Sequence, residues 1–161
     1  MKKYLIHSSQ VGPLRLLASE TGLAGVYFAE HKHLQIDPAW QADPQNALLQ
    51  NAAQQLDAYF AGSLRDFDLS LDCSQGTPFQ QEVWQALRTI PYGKVCSYSA
   101  LAQQIGRPKA IRALGAANGR NPLSIIIPCH RVIAANGDLQ GYAGGLENKQ
   151  RLLALERHFV A

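Results

Sequence analysis

Cysteine is scarce in this chain: Cys73, Cys96 and Cys129 are three among 161 residues, and they lie far apart. An odd number at wide spacing makes neither a disulfide framework nor a CxxC metal pair, and it fits a reducing cytoplasm. Long apolar runs are missing as well. None approaches the length that crosses a bilayer, and no apolar stretch follows Met1-Lys2-Lys3-Tyr4, so neither a membrane anchor nor a secretory signal is expected. There is no internal repeat and no low-complexity segment. What remains is a hydrophobic fraction of 47%, enough for one domain of ordinary size or two small ones.

Acidic residues are few and unevenly placed. Residues 1–75 carry five bases against eight acids, whereas residues 76–161 carry ten bases against four acids. A basic surplus confined to one half points to a polyanion bound on one side, nucleic acid among them. Ordinary solvated charge would give the same modest surplus.

Residues 3–9, 14–19 and 23–29 read as short strands, broken at Val11-Gly12-Pro13 and Glu20-Thr21-Gly22. Residues 45–61 read as a helix with Leu48, Leu49, Ala52, Leu56, Tyr59 and Phe60 on one face and Gly62 behind it as a cap. Asp66 to Leu71 alternates polar and apolar, as one more strand would. Composition shifts at Cys73-Ser74-Gln75-Gly76, which sets a boundary between a domain of residues 1–75 and a domain of residues 76–161. Thr77-Pro78-Phe79-Gln80 then announces a helix: an N-cap, a proline at the first position and a glutamine completing a capping box. Phe79, Val83, Leu87 and Ile90 follow as a core stripe, and Pro91-Tyr92-Gly93 ends it.

The second half reads mainly helical. Ser97 caps a short helix to Ile105, Gly106-Arg107-Pro108 turns the chain, and residues 108–118 form a second helix closed by Gly119. Two short helices joined in this way make a helix-turn-helix. On the second, Ala110, Ile111, Leu114 and Ala117 face one way, and Arg112, Gly115, Ala116 and Gly119 the other. A helix reading the major groove needs long polar side chains, and this face is nearly bare. It suits close approach to a minor groove, with Arg112 able to reach between bases. Small residues would serve helix–helix packing equally well.

Ile125-Ile126-Ile127-Pro128-Cys129-His130-Arg131-Val132 is the stretch with the most chemistry in it. The apolar run should be buried and extended, and it should stop at Pro128. Cys129 then lies at the rim of a core beside a base, which is how a reactive thiol is built. Neighbouring side chains on a strand point apart, so Cys129 and His130 cooperate only if the chain turns after Pro128 or a water bridges them. The alternative is a buried thiol beside a surface histidine. Asn121-Pro122 marks a turn just upstream. Gly141-Tyr142-Ala143-Gly144-Gly145 is a glycine-rich loop whose Tyr142 could wall a flat pocket. Glu156, on a helix from about Glu147, would orient and charge His130 if the fold brings the two together; otherwise it is a surface glutamate. His31 and His33 form an H-x-H pair with no specified third ligand, so no metal is expected there.

Taken together these residues resemble the O6-alkylguanine-DNA alkyltransferases, the methylated-DNA–protein-cysteine methyltransferases. The signature is Ile127-Pro128-Cys129-His130-Arg131-Val132, accompanied by Thr77-Pro78-Phe79, Gly93-Lys94-Val95-Cys96-Ser97-Tyr98, Arg112-Ala113-Leu114-Gly115, Asn121-Pro122, Gly141-Tyr142-Ala143-Gly144-Gly145 and Glu156. The similarity is to the bacterial stand-alone form. It implies an α/β fold: a small ribonuclease H-like sheet-plus-helix domain, followed by a mainly helical domain carrying the helix-turn-helix.

The resemblance also implies a function. A single-use cytoplasmic monomer would repair O6-alkylguanine, and O4-alkylthymine, in double-stranded DNA approached from the minor groove. The damaged nucleotide is flipped out. Cys129 takes the alkyl group, His130 takes the thiol proton through a water, Glu156 polarises His130, and Asn121 braces the turn. Tyr98 would donate to the base and Arg112 would fill the vacated gap. Ala113 and Gly115 would lie on the DNA-facing helix, Tyr142 against the base, and the Ala143 amide would reach O6. Neither S-adenosylmethionine nor metal is implied. Position 143 is often serine in such proteins, and the structural zinc ligands of some members are not evident here. Three other readings are a damage-binding relative without the cysteine, a helix-turn-helix regulator and a cysteine hydrolase. Cys129 opposes the first, the bare helix face the second, and the lack of an oxyanion-hole motif the third.

Overall fold

A computed structural model describes residues 1–137 and 142–160. The chain starts with a meander of β1 (Lys3–His7), β2 (Leu14–Ala18) and β3 (Leu23–Phe28), antiparallel throughout, with Leu5 opposite Leu16 and Leu16 opposite Val26. A two-residue strand, β4 (Gln41–Ala42), adds in parallel to β1, giving the order β3-β2-β1-β4. It is too short to show a period in sequence. Helix α1 (Ala47–Phe60) begins at Asn46, whose side chain accepts the Leu49 N–H, and lays Leu49, Ala52, Leu56, Tyr59 and Phe60 into the core.

Asp66–Leu71 is not a strand. Only Leu71 bridges, in parallel to Leu23. The Gln55 carboxamide takes both backbone groups of Asp68, accepting its N–H and donating to its carbonyl at 2.9 Å each, so those groups are withdrawn from any ladder. The same outer edge of β3 meets a second single bridge, Val26 to Leu123, with the Val26 N–H donating to the Pro122 carbonyl at 2.8 Å. The edge strand of the first half therefore anchors the loop that leads to Cys129.

Helix α2 (Pro78–Leu87) carries the expected reciprocal cap: the Gln80 N–H donates to the Thr77 hydroxyl and the Thr77 N–H to the Gln80 side chain. It ends at Leu87, and Ile90 continues the buried stripe from a following turn. Strand β5 (Cys96–Ser97) precedes α3 (Tyr98–Gln104), whose N-cap is Ser97. Helix α4 starts later than its pattern implies, at Ile111 rather than residue 108, and runs to Gly119. The Ala110 N–H turns back to the Arg107 carbonyl, which delays the first helical turn. Ile111 consequently lies outside the buried face at 43% exposure, and Asn118 joins Leu114 and Ala117 on it.

After α4 come one turn of 3-10 helix (Cys129–Arg131), β6 (Val132–Ile133) and α5 (Leu146–Val160). The apolar run before Cys129 is buried as expected, but it is not extended. It coils through Ile125 at φ +73°, with the Ile127 N–H donating to the Leu123 carbonyl. A β-branched residue in that region is strained, so burial and these hydrogen bonds must hold it. Strands β5 and β6 pair in parallel, Cys96 opposite Val132 and Ser97 opposite Ile133, and thereby set Tyr98 beside the Cys129 turn. Among the described residues no helix is long and apolar enough to cross a membrane.

Thr77→Ala removes the bond from the Gln80 N–H to the Thr77 hydroxyl, while the Thr77 backbone N–H can still donate to Gln80, and should cost about 1 kcal/mol. The check is the urea midpoint, which should fall with an unchanged slope. An unmoved midpoint would show that α2 is held by packing alone.

Candidate active site

Pro128, at φ −79° and ψ +61°, is the centre of an inverse γ-turn in which the Cys129 N–H donates to the Ile127 carbonyl at 2.7 Å. The chain does turn at Pro128, and Cys129 and His130 leave on one tight coil. Asn121 holds this coil. Its side-chain oxygen accepts the Leu123 N–H at 3.0 Å and its Nδ2 donates to the Ile127 carbonyl at 2.8 Å. Asn121 is 2% exposed, so it is a structural member of the turn and not a surface residue.

Glu156 is 1% exposed, because α5 docks its inner face against the 3-10 turn. Five donors converge on its carboxylate. Oε1 accepts from Arg131 Nε at 2.8 Å and from the Gly93 N–H at 3.2 Å. Oε2 accepts from His130 Nε2 at 2.6 Å, the Tyr59 hydroxyl at 2.6 Å and Arg131 Nη2 at 3.1 Å. Burial alone would raise the Glu156 pKa, but the hydrogen bonds from His130 and Arg131 and the positive charge of Arg131 outweigh it and hold the carboxyl well below its ordinary value. Gly93 sits at φ +77°, which frees its N–H to point at this carboxylate.

An ionised carboxylate only accepts, so Nε2 of His130 must carry the hydrogen. Burial lowers the His130 pKa, outweighing its bond to Glu156, so the ring is neutral. A neutral ring protonated on Nε2 leaves Nδ1 with a lone pair, and Nδ1 is buried without a hydrogen-bond partner among the described residues. The site thus contains a base whose lone pair is on Nδ1.

Cys129 is 4% exposed. Burial raises its thiol pKa, with partial relief from Asn121 and the positive charge of Lys149. It rests as a thiol and must lose its proton as it reacts. Tyr142 is buried; its ring meets Phe28 edge-on at 5.8 Å, and burial followed by the charge of Cys129 pushes its hydroxyl well above the ordinary tyrosine range. Gly144 packs so closely on Phe28 that an added Cβ would lie 2.2 Å from its ring. Tyr98 is half-buried, and burial and then Cys129 raise its hydroxyl as well. The Ala143 carbonyl accepts the Lys32 N–H at 2.9 Å. Gly141 of this loop lies outside the described residues.

Arg112 and Ala113 are exposed on α4, and Gly115 lies beside Tyr98, whose ring is 4.0 Å from where a Cβ would stand. Cys129, His130, Glu156, Asn121, Tyr98 and Tyr142 are therefore brought together, with Arg112, Ala113 and Gly115 on the open face of the adjoining helix. His31 and His33 line a separate hollow that reaches Asn121, and among the described residues no cluster of three His, Cys, Asp or Glu could hold a metal.

Four members have no assignment from sequence. Arg131 is buried, forks onto Glu156 and donates to the Ile90 carbonyl at 2.7 Å. Tyr59 reaches Glu156 from α1. Asn118 donates to the Cys129 carbonyl at 3.4 Å, joining α4 to the thiol's own residue. Lys149 is 0% exposed and donates to the Val132 carbonyl at 2.7 Å. A signal for Lys149 was available: Lys149, Leu152, Leu153 and Glu156 share one helical stripe, and all four are buried.

Comparison with known proteins agrees in both halves of the chain. Residues 2–73 match the model of the 6-O-methylguanine DNA methyltransferase ribonuclease-like domain, and residues 78–158 that of the 6-O-methylguanine DNA methyltransferase DNA binding domain. A methylated-DNA–protein-cysteine methyltransferase of Methanosarcina acetivorans is 48% identical over 95% of this chain and 97% of its own. One from Mycobacterium leprae is 49% identical over 94% of this chain and 90% of its own. The crystal structure of Mycobacterium tuberculosis OGT in complex with DNA superposes with a TM-score of 0.92 at 47% identity, covering 98% of this chain and 94% of that one.

Glu156→Gln should destabilise the fold by about 3–5 kcal/mol, because Arg131 is left buried and unpaired. A carboxyl held low contributes stability above its ordinary value of 4.5 that is lost as pH falls through the depressed folded value. The wild type should therefore lose stability as pH drops below 4.5, and the variant should lack that part of the slope. Denaturant unfolding from pH 7 to pH 3 measures it; equal acid slopes would contradict the assignment.

Proposed function

The chain belongs to the 6-O-methylguanine DNA methyltransferase family, and on that premise we propose that it repairs O6-alkylguanine, and O4-alkylthymine, in double-stranded DNA by moving the alkyl group irreversibly to its own Cys129. The observation that carries this reading is that Cys129 and a neutral His130, hydrogen-bonded to the ionised Glu156, share one turn that Asn118 ties to α4.

The exposed stretch of α4 lies in the minor groove. Its bare face, with Ala113 and Gly115, lets the backbone approach closely, and Arg112 enters the gap left by the flipped nucleotide. The base enters beside Tyr98 and Tyr142. The thiol proton passes to Nδ1 of His130 through a bridging water, and Glu156 stabilises the imidazolium. Sγ attacks the alkyl carbon in line as the bond from carbon to O6 breaks. The electron pair leaves on the base, which takes up a proton and returns to guanine. Tyr98 donates a hydrogen bond as that charge develops, and the Ala143 amide reaches O6. The alkyl donor is the lesion itself, and the product thioether ends the working life of the molecule. Asn121 and Asn118 keep the thiol coil in register with α4. Residues 1–75 form the supporting domain, supplying Tyr59 to the carboxylate, and residues 76–161 form the DNA-binding and acceptor domain. Three unpaired cysteines suit a reducing cytoplasm, and a one-shot reaction suits a monomer.

Incubation with a duplex bearing O6-methylguanine should add the mass of one CH2 to each molecule, on Cys129, and never exceed one equivalent. Multiple turnover, or binding without mass gain, would overturn the reading. Cys129→Ser should bind the lesion and gain no mass. Since unstacking a base costs a few kcal/mol, Arg112→Ala should slow duplex repair roughly ten- to hundredfold, while reaction with free O6-benzylguanine stays near wild type. Equal losses on both substrates would remove Arg112 from the gap-filling role.

A further inference from the structure

A polar cavity, of about 230 Å3, lies between the segment after β3 and the end of α4. Lys32, His31 and His33 line it from the first half, and Arg120, Asn121 and Gln80 from the second. Among the described residues that line it there is no carboxylate. Lys32, His33 and Arg120 are exposed, so the Lys32 and Arg120 charges and the His33 ring are available at its mouth.

We propose that this cavity is a phosphate-binding subsite that takes a backbone phosphate of the bound DNA outside the lesion. This rests on the reading that α4 lies on DNA.

The arrangement is that of an anion site. Positive groups are gathered from two distant parts of the chain around one hollow without an acid to balance them. Their proximity is felt: after burial, the charges of Arg120 and Lys32 lower the His33 pKa. His33 also sits at φ +69°, a conformation costly for a residue with a side chain and one found where function holds it. His31 is neutral, its pKa lowered to about 4 by burial and then by His33. Its Nδ1 accepts the Phe28 N–H at 3.4 Å, so Nε2 carries a hydrogen and can donate to an oxyanion.

Its location fits the same partner as α4. Arg112 and Arg120 lie about 12 Å apart along the helix at the standard rise. Each strand of a duplex carries a phosphate about every 3.4 Å of axis. A helix lying along a groove would thus bring Arg120 to the backbone about three to four nucleotides from the gap that Arg112 fills. The cavity also touches the active site through Asn121, which holds the Ile127 carbonyl, and through Lys32, whose N–H holds the Ala143 carbonyl at 2.9 Å. A phosphate seated there would fasten the first half of the chain to the turn and loop that surround Cys129.

The test uses the full-length double variant Lys32→Gln/Arg120→Gln. Lesion-duplex affinity is measured from low to moderate salt, beside the rate with free O6-benzylguanine. The expected result is a salt slope shallower by about 0.9 for one lost phosphate contact, with the free-base rate unchanged. An unchanged slope overturns the proposal, and so does a free-base rate that falls in step with affinity, since that marks damage to the active site. Titration of the wild type with inorganic phosphate, read on the imidazole signals of His31 and His33, separates the two sources. Saturation by free phosphate combined with an unchanged DNA slope overturns the DNA assignment. Failure of the wild type to take up any alkyl group is a different outcome, because it strikes the proposed function and not the subsite.

Discussion

The Glu156 carboxylate is buried under α5 with five donors on its two oxygens. A carboxylate taken from water costs several kcal/mol unless opposite charge and hydrogen bonds replace the lost hydration. Here the Arg131 fork supplies the charge, and His130, Tyr59 and Gly93 supply the remaining bonds. Those partners come from α1, from the loop after α2 and from the 3-10 turn. One anion therefore joins the first half of the chain to the second and fixes the imidazole between them.

Everything distinctive about the proposed reaction follows from that fixed ring. Because Nε2 is committed to Glu156, Nδ1 is the nitrogen left to take a proton. Burial raises the thiol pKa and lowers the imidazole pKa. The pair rests uncharged, and charge separation is deferred to the moment of alkyl transfer, when Glu156 and Lys149 are already in place. Such preorganisation stabilises developing charge without rearrangement of the site. A buried ion pair is seldom a source of net stability, so its retention here is explained by positioning.

Features set by nearest neighbours are legible in the sequence. The Thr77–Gln80 capping box, the Ser97 cap, the three-strand meander and the Gly62 helix end depend on residues a few positions apart, and local geometry decides them. The coil at residues 123–128 is not legible, because Ile125 adopts a backbone region that its own branching disfavours; only the surrounding packing imposes it. Asp66–Leu71 alternates like a strand, yet the distant Gln55 amide captures its backbone. Two-residue strands such as β5 and β6 have no period to detect, although they place Tyr98. The motif residues around Cys129 stand out individually, but the exposure of Glu156 depends on where α5 docks. Lys149, Tyr59 and Asn118 escape because they sit on apolar faces, where a polar tip reads as core until its partner is seen.

The most direct test of the fixed-ring account is the protonation state of His130 itself, read from the 15N shifts of its imidazole in the unreacted protein between pH 6 and 8. The account predicts a neutral ring with hydrogen on Nε2 and a bare Nδ1 throughout that range. A ring protonated on Nδ1, or an imidazolium at neutral pH, would contradict it.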